Sequence, residues 1–349
     1  MKKKLIDVCD IIYGYAFDSK KFNTELKGVP VVRIRDVVRG YSETYTTEYV
    51  TEDYYVENGD LLIGMDGEFN IGEWNGGHAL LNQRVCKLVP NKHISDRYVY
   101  HYMPHVLKDI ENNTSFVTVK HLSAKQLNSV VFPDISLSEQ QKIATELDII
   151  QSAIDNKKQQ LSLLDEAVKS EFVEMFGNPI TNSKKFPTKK VIDVVTLQRG
   201  YDLPVQDRDA TGSIPVFGSN GILGTHNVAK INKGVVTGRS GTIGEVYLCD
   251  EPFWPLNTTL FSNDTHGNNL CYLKYLLEFF DLKRFKSGVG VPTLNRNEFH
   301  DEQIIDVSLE LQNKFATFVQ QIDKSKFVVK QQISDLQEIL DSKMQEYFS

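Results

Sequence analysis

Long apolar runs are missing from this sequence. Its apolar stretches fall far short of the roughly 20 residues needed to span a bilayer as a helix. The N-terminus, "MKKKLIDVCDII", carries three lysines but no long apolar core and no small-residue cleavage site, and Asp7 and Asp10 interrupt its apolar part. The expected location is the cytoplasm, with no membrane contact.

Cysteine is scarce as well. The four present, Cys9, Cys86, Cys249 and Cys271, are scattered. Without a close pair there is no zinc spacing and no disulfide framework, and the thiols are expected to be small buried hydrophobes.

Motifs of catalysis are equally absent. "FGSNG" at Phe217 is glycine-rich, but no P-loop lysine follows it. No Gly-x-Ser-x-Gly, no paired Cys/His nucleophile and no Asx-Pro-Pro-aromatic motif of an amino-methyltransferase occurs. His101 and His105 stand at helical spacing, but Pro104 lies between them and no acidic third ligand follows, so no metal site is expected. "PDISLSEQQK" at Pro133 has the wrong acid and lysine spacing for a nuclease and suits a helix cap instead. The chain is expected not to be an enzyme.

A surplus of basic charge is missing too: the formal net charge is −7. That balance counts mildly against a nucleic-acid binder. The acid is unevenly spread, however. Between Ser138 and Gly177 eight acidic residues face four lysines, leaving the flanking regions near balance.

What the 349 residues do contain is a long internal repeat. "SLSEQQKIATEL" at Ser136 returns as "SLELQNKFATFV" at Ser308. "LIDV" at Leu5 returns as "VIDV" at Val191, Gly14-Tyr15 as Gly200-Tyr201, and "VPV" at Val29 as "IPV" at Ile214. "GDLLIG" at Gly59 answers "GVVTG" at Gly234, Ile71-Gly72 answers Ile243-Gly244, and "ALLNQRV" at Ala79 answers "WPLNTTL" at Trp254. The period is about half the chain, which suits two similar domains better than a solenoid.

Each copy has two parts. Residues 1–135 and 178–307 show short β-rich runs, glycine-rich turns and intervening helical stretches, the pattern of a mixed α/β domain. Residues 136–177 and 308–349 each read as one long helix. Asp134 or Ser136–Ser138 can cap the first, and Gly177 with Pro179 can end it. Its apolar positions, Ile143, Leu147, Ile150, Ile154, Leu161, Leu164, Val168 and Met175, follow steps of four and three, with Lys157 and Glu171 at the missing beats. The second helix repeats this with Phe315, Val319, Ile322, Val329, Ile333, Leu336, Leu340 and Tyr347, and with Lys326 and Lys343 at its gaps.

Such narrow stripes call for a coiled-coil partner, and pairing within the chain is the economical solution. A pseudo-two-fold repeat would make the two rods antiparallel, each about 57 Å long at 1.5 Å per residue. Globular domains would sit at their ends.

At this point the residues carry a resemblance. The "PDISLSEQQKIA" helix start at Pro133, the "FVEMFGNP" helix end at Phe172 and their partial return resemble the specificity subunit of type I restriction–modification systems, over the whole chain. "GDLLIG" at Gly59 and "NQRV" at Asn82 support it more weakly. The second copy departs from the pattern, since Pro133 has no counterpart and Glu139 matches Glu310 only after a one-residue shift.

The resemblance implies two target-recognition domains, each reading half of a split site in double-stranded DNA. The paired helices would hold them apart and dock two DNA methyltransferase subunits that carry S-adenosylmethionine and modify adenine, with restriction subunits as further partners. The chain itself would bind no cofactor. Two diverged domains read an asymmetric target, where a symmetric dimer would demand a palindrome. The rivals are a coiled-coil adaptor binding proteins only, and the specificity subunit of a fused-type system cutting both sides of its site.

Base readout favours Arg or Lys on guanine and Asn or Gln on adenine. In the first domain that selects Arg33, Arg35, Asn82, Gln83, Arg84, Lys120 and His121. In the second it selects Arg199, Asn220, Arg239, Ser240, Asn295 and Arg296. Nearby Gly67, Gly218, Gly221 and Gly241 would let backbone approach phosphate. Trp74 and Trp254, read as loop residues before corresponding strands, are expected to pack rather than to stack on bases.

Overall fold

Leu61–Gly64 is buried at all four positions, as its unbroken apolar run predicts for a strand covered on both faces. It lies inside an antiparallel sheet with the strand order Cys9–Tyr13, Val85–Pro90, Leu61–Gly64, Asn70–Glu73. Leu61 and Ile63 face one core, with Tyr98, Val99, Met103 and Leu107 of helix Asp96–Asn113. Leu62 faces another, with Val32, Val37 and Trp74. A second sheet pairs Val29–Val32 in parallel with Ala79–Leu81.

The second half repeats this topology. Thr196–Arg199, Thr259–Asp264, Gly234–Gly238 and Val246–Cys249 take the same order, and Ile214–Gly218 pairs in parallel with Trp254–Pro255. Helix Leu270–Phe279 stands where Asp96–Asn113 stands in the first half. The fold is mixed α/β and duplicated.

The computed structural model describes residues 3–114, 120–288 and 290–348. The chain divides into two units, Met1–Asn156 with Ile333–Ser349, and Lys157–Gln332. Both divisions fall inside long helices, so each unit is a globular domain plus segments of two helices.

Those helices, the central Leu137–Phe176 and the terminal Leu309–Phe348, run 40 residues each. Ser136 caps the central helix, its hydroxyl accepting from the Glu139 N–H at 3.2 Å. Gly177 ends it at φ +70°, a left-handed conformation that favours glycine.

Within each unit the helices pair with each other and also enter the domain core. In the first unit Ile143, Leu147, Ile154, Leu340 and Phe348 share one cluster with Leu5, Tyr98 and Met103, and Ile150, Ile333 and Leu336 pack on it half-buried. In the second, Val168, Phe172 and Phe176 join Phe315 and Val319, with Ile322 alongside. Asp165 pairs with Lys326 at 2.5 Å, while Phe172 and Phe176 each meet Phe315 at 5.5 Å, so the segments run antiparallel. Lys326 and Lys343, at the gaps in the apolar stripe, bind acids of the other helix: Asp165, and Glu146 at 3.2 Å. Leu161 and Leu164 are half-buried and Val329 is buried. The stripe widens at its globular end, where Phe172 and Phe176 are fully buried alongside Val168.

Strand pairing corrects two matches between the copies. Val31 pairs with Leu80 and Val216 with Trp254, so Trp254 corresponds to Leu80, not Ala79. Asn82 therefore corresponds to Leu256, and Arg84 to Thr258. Likewise Ile71 opposes Ile63, while Val246 opposes Thr237 and Tyr247 opposes Val236, so Ile71-Gly72 answers Val246-Tyr247 rather than Ile243-Gly244. Identical letters lie one place out of register in the first match and three in the second, because hydrogen-bond register is fixed by the neighbouring strand. The tryptophans are consequently not counterparts. Trp74 follows a strand, fully buried, and donates to the Gly77 carbonyl at 2.6 Å, whereas Trp254 lies within a strand and is buried.

Candidate nucleic-acid interface

In the first unit, the loop after Ala79–Leu81 delivers Asn82, Gln83 and Arg84 to the surface. Helix Ile34–Arg39 begins at Arg33, whose backbone N–H is capped by the fully buried Asp36 at 3.0 Å. Arg33, Arg35, Asn82 and Arg84 thereby line one cleft of about 420 Å³ together with Asp66, Glu68 and Asn70. Asp66 organises it, lying 3.3 Å from Arg84 Nε and 2.5 Å from His121 Nδ1. The Arg84 side chain stays half exposed, its reach to solvent preserved. Arg35 donates to the Thr44 hydroxyl at 3.2 Å.

Gln83 is exposed beside the cleft, with its backbone N–H on the Tyr15 carbonyl at 2.9 Å. Lys120 is drawn away: its ammonium donates to the Glu111 carbonyl at 2.8 Å and lies 3.5 Å from that carboxylate. Six of the seven candidates thus gather at or beside one surface, and Lys120 does not line it.

In the second unit the equivalent loop, Leu256–Thr258, lines a cleft of about 290 Å³ with Asp202, Leu203, Arg208 and Leu223. Arg239 grips this loop, donating from Nε to the Asn257 carbonyl at 2.9 Å and from its backbone N–H to the Thr258 carbonyl at 2.8 Å. Burial, and then the neighbouring Arg199 cation, push the Arg239 guanidinium below its ordinary value. Two adjacent guanidinium groups repel, and an arriving anion relieves that repulsion. Arg199 also approaches Asp202 at 3.8 Å, and Asp202 accepts from the Asn257 amide.

Ser240 bridges to Thr293, and its N–H donates to the Thr258 carbonyl at 3.1 Å. Asn220 sits exposed in the turn between Ile214–Gly218 and Gly221–His226. Asn295 caps helix Arg296–Asp301 by accepting from Asn297 N–H at 3.2 Å, and Arg296 is exposed on its first turn. None of the six second-domain candidates lines the cleft; Arg239 and Ser240 reach it only by hydrogen bonds to the Asn257 and Thr258 carbonyls.

The arginines of the two halves arise from different positions. Arg239 occupies the place of Met65, because each donates its backbone N–H to the corresponding loop carbonyl, Thr258 or Arg84. One scaffold therefore carries two unlike polar surfaces. The charged and amide cleft residues not selected from sequence are Asp66, Glu68, Asn70, Asp202, Arg208 and Asn257. A rule naming only Arg, Lys, Asn and Gln selects no acids, yet a carboxylate fixes an arginine fork and can itself accept from cytosine N4.

The two histidines at helical spacing diverge. His101 is buried on Asp148 at 2.7 Å, whereas His105 faces Asp109 at 3.7 Å. Among the described residues, no helix is long and apolar enough to cross a membrane.

Comparison with known proteins agrees with this duplicated architecture. The family model described as "Type I restriction modification DNA specificity domain" matches residues 1–166 and again 183–338, and the chain belongs to that family. Over 190 residues it is 40% identical to the type I restriction enzyme EcoBI specificity subunit of Escherichia coli, covering 53% of this chain and 40% of that protein. The chain therefore spans well under half of that relative's length. With the MjaIX specificity subunit of Methanocaldococcus jannaschii it shares 23% identity over 315 residues, 75% of this chain and 70% of that one.

Among solved structures, the S subunit of a type I restriction–modification system from M. genitalium matches with TM-score 0.61 at 15% identity, covering 100% of this chain and 96% of that one. A chain from a study of complex assembly and conformational transition of the type I R-M system matches at TM-score 0.54 and 11% identity, covering 100% and 97%. At these identities the likeness is one of fold.

Proposed function

We propose that this chain is the non-catalytic specificity subunit of a cytoplasmic type I restriction–modification complex. Residues 1–135 and 178–307 act as its two target-recognition domains, reading the halves of an asymmetric, bipartite site in double-stranded DNA. The observation that carries this reading is the pair of clefts built on equivalent loops, Asn82–Arg84 and Leu256–Thr258, with different residues in each. Equal scaffolds with unequal polar groups are what reading two different base sequences requires.

Residues 136–177 and 308–349 serve as spacers and as the docking surface for two methyltransferase subunits, with restriction subunits joining in turn. Support comes from large apolar side chains left exposed on the helices: Ile149 and Ile339 in the first unit, Leu163, Phe327 and Val328 in the second. S-adenosylmethionine belongs on the methyltransferase subunits, which transfer its methyl group to adenine.

The test is to reconstitute the chain with its methyltransferase subunits and map methylated adenines on genomic DNA. Two different short sequences at one fixed separation support the reading. Methylation without sequence preference, or protein-only binding, overturns it in favour of the adaptor.

A further inference from the structure

We infer that Val38 and Leu223 read the 5-methyl group of thymine, one in each half-site. This rests on the DNA-reading function proposed above and adds to it a base preference and the residues responsible.

Single exposed aliphatic residues are ordinary on protein surfaces. These two are distinguished by place. Val38 is 69% exposed and lines the same cleft as Arg33, Arg35 and Arg84. Leu223 is 47% exposed and lines the cleft formed by Asn257 and Thr258, on which Arg239 is anchored.

The backbones that carry them are different elements, helix Ile34–Arg39 in one copy and the hairpin strand Gly221–His226 in the other. Both routes nonetheless leave an aliphatic side chain in solvent in a cleft that also holds arginine: Arg33, Arg35 and Arg84 for Val38, and Arg208 for Leu223.

Val38 rides on a helix whose start is tied by buried Asp36. Leu223 lies over Gly218, which has no side chain of its own to occupy that space. An exposed aliphatic group beside guanidinium donors suits the major groove. There thymine alone offers a methyl, while guanine and the phosphates offer the acceptors.

The experiment uses the full chain assembled with its methyltransferase subunits and a duplex carrying the mapped half-sites. Thymines are replaced one at a time by deoxyuridine, which removes the methyl and keeps the base pairing. At one thymine in each half-site, binding should weaken about three- to five-fold, the size of one buried methyl group. Val38→Ser should abolish that uracil penalty in one half-site only, and Leu223→Ser in the other only. Half-sites without a uracil-sensitive thymine, or variants that keep both penalties, overturn the inference while selective binding of the unmodified duplex leaves the DNA-reading function standing. Loss of all selectivity for the unmodified duplex by the unmutated complex overturns both.

Discussion

The side-chain carbonyl of Gln140 accepts a hydrogen bond from the backbone N–H of Ser95 at 2.9 Å, joining the start of the central helix to the start of helix Asp96–Asn113. Ser95 is the cap of that second helix, and the Gln140 amide donates back to the Ile135 carbonyl at 3.1 Å. The second copy repeats the device. Gln312 accepts from the N–H of Asn269, the cap of Leu270–Phe279, at 2.8 Å and donates to the Val307 carbonyl at 2.8 Å. Both glutamines are buried. A long helix that must carry a domain in fixed orientation needs such a joint, and apolar packing alone is less directional.

Replacing Gln140 by Leu should remove hydrogen bonds from a half-buried N–H and a half-buried carbonyl, costing about 0.5–1.5 kcal/mol for each. Urea denaturation followed by hydrogen exchange should show faster opening around Ser95, with Asn269 unaffected. Gln312→Leu should give the mirror result. Equal loosening at both places would mean that the two joints are not independent.

Truncating Ile154 or Phe172 to Ala should destabilise strongly, by about 2–5 kcal/mol for the first and about 3–5 kcal/mol for the second. Both are fully buried, and each belongs to a core that holds residues of both helices and a globular domain. A loss under about 1 kcal/mol in equilibrium unfolding would show that these cores are not shared as described.

Acid should loosen both units, since each buries a histidine whose pKa burial lowers, His101 in the first and His300 in the second. His101 is buried against Asp148, and burial lowers its pKa from 6.5 despite the hydrogen bond to that carboxylate. Burial alone would raise the Asp148 carboxyl, but hydrogen bonds from Arg97 and His101 hold it below 3.8. A histidine whose folded pKa is depressed contributes stability above its unfolded pKa, and that stability is lost as pH falls from about 6.5 through the folded value. His101→Gln should flatten the stability–pH curve in that window. An unchanged curve would remove His101 as the cause.

Arg84→Ala and Arg239→Ala should each relax recognition of one half-site. The expected loss is about 1–3 kcal/mol at a guanine if the contact is bidentate. Binding competition against half-site variants measures it, and equal damage to both halves would contradict separate clefts.

DNA binding by the chain without partners should be weak and steeply salt-dependent. With a net charge of −7, little phosphate neutralisation comes from the chain itself. Tight, selective binding at physiological salt by the isolated chain would refute this.

Much of the architecture was legible in advance because periodicity and repetition are properties of order along the chain. The four-and-three spacing from Ile143 to Val168 located the central helix, and the returning "VIDV", "IPV" and "GVVTG" located a second domain. The joint was not legible. Gln140 and Gln312 stand at the same place in both helix starts, but a polar residue in such a stretch reads as solvated until its burial is known. Phe172 and Phe176 likewise lay beside the stripe rather than in it, because they face a domain as well as a helix.

The sequence by itself determined the duplication, the two 40-residue helices and the groups of basic and amide residues worth attention, since each is a pattern of residue types at fixed spacings. Only the tertiary structure decided where those residues go: Arg33 and Arg84 into one cleft, Arg239 onto the Asn257 carbonyl, and Lys120 aside to Glu111. It also decided the true register of the repeats. Those outcomes depend on hydrogen bonds between strands far apart in the chain, whose partners no local pattern of residues specifies.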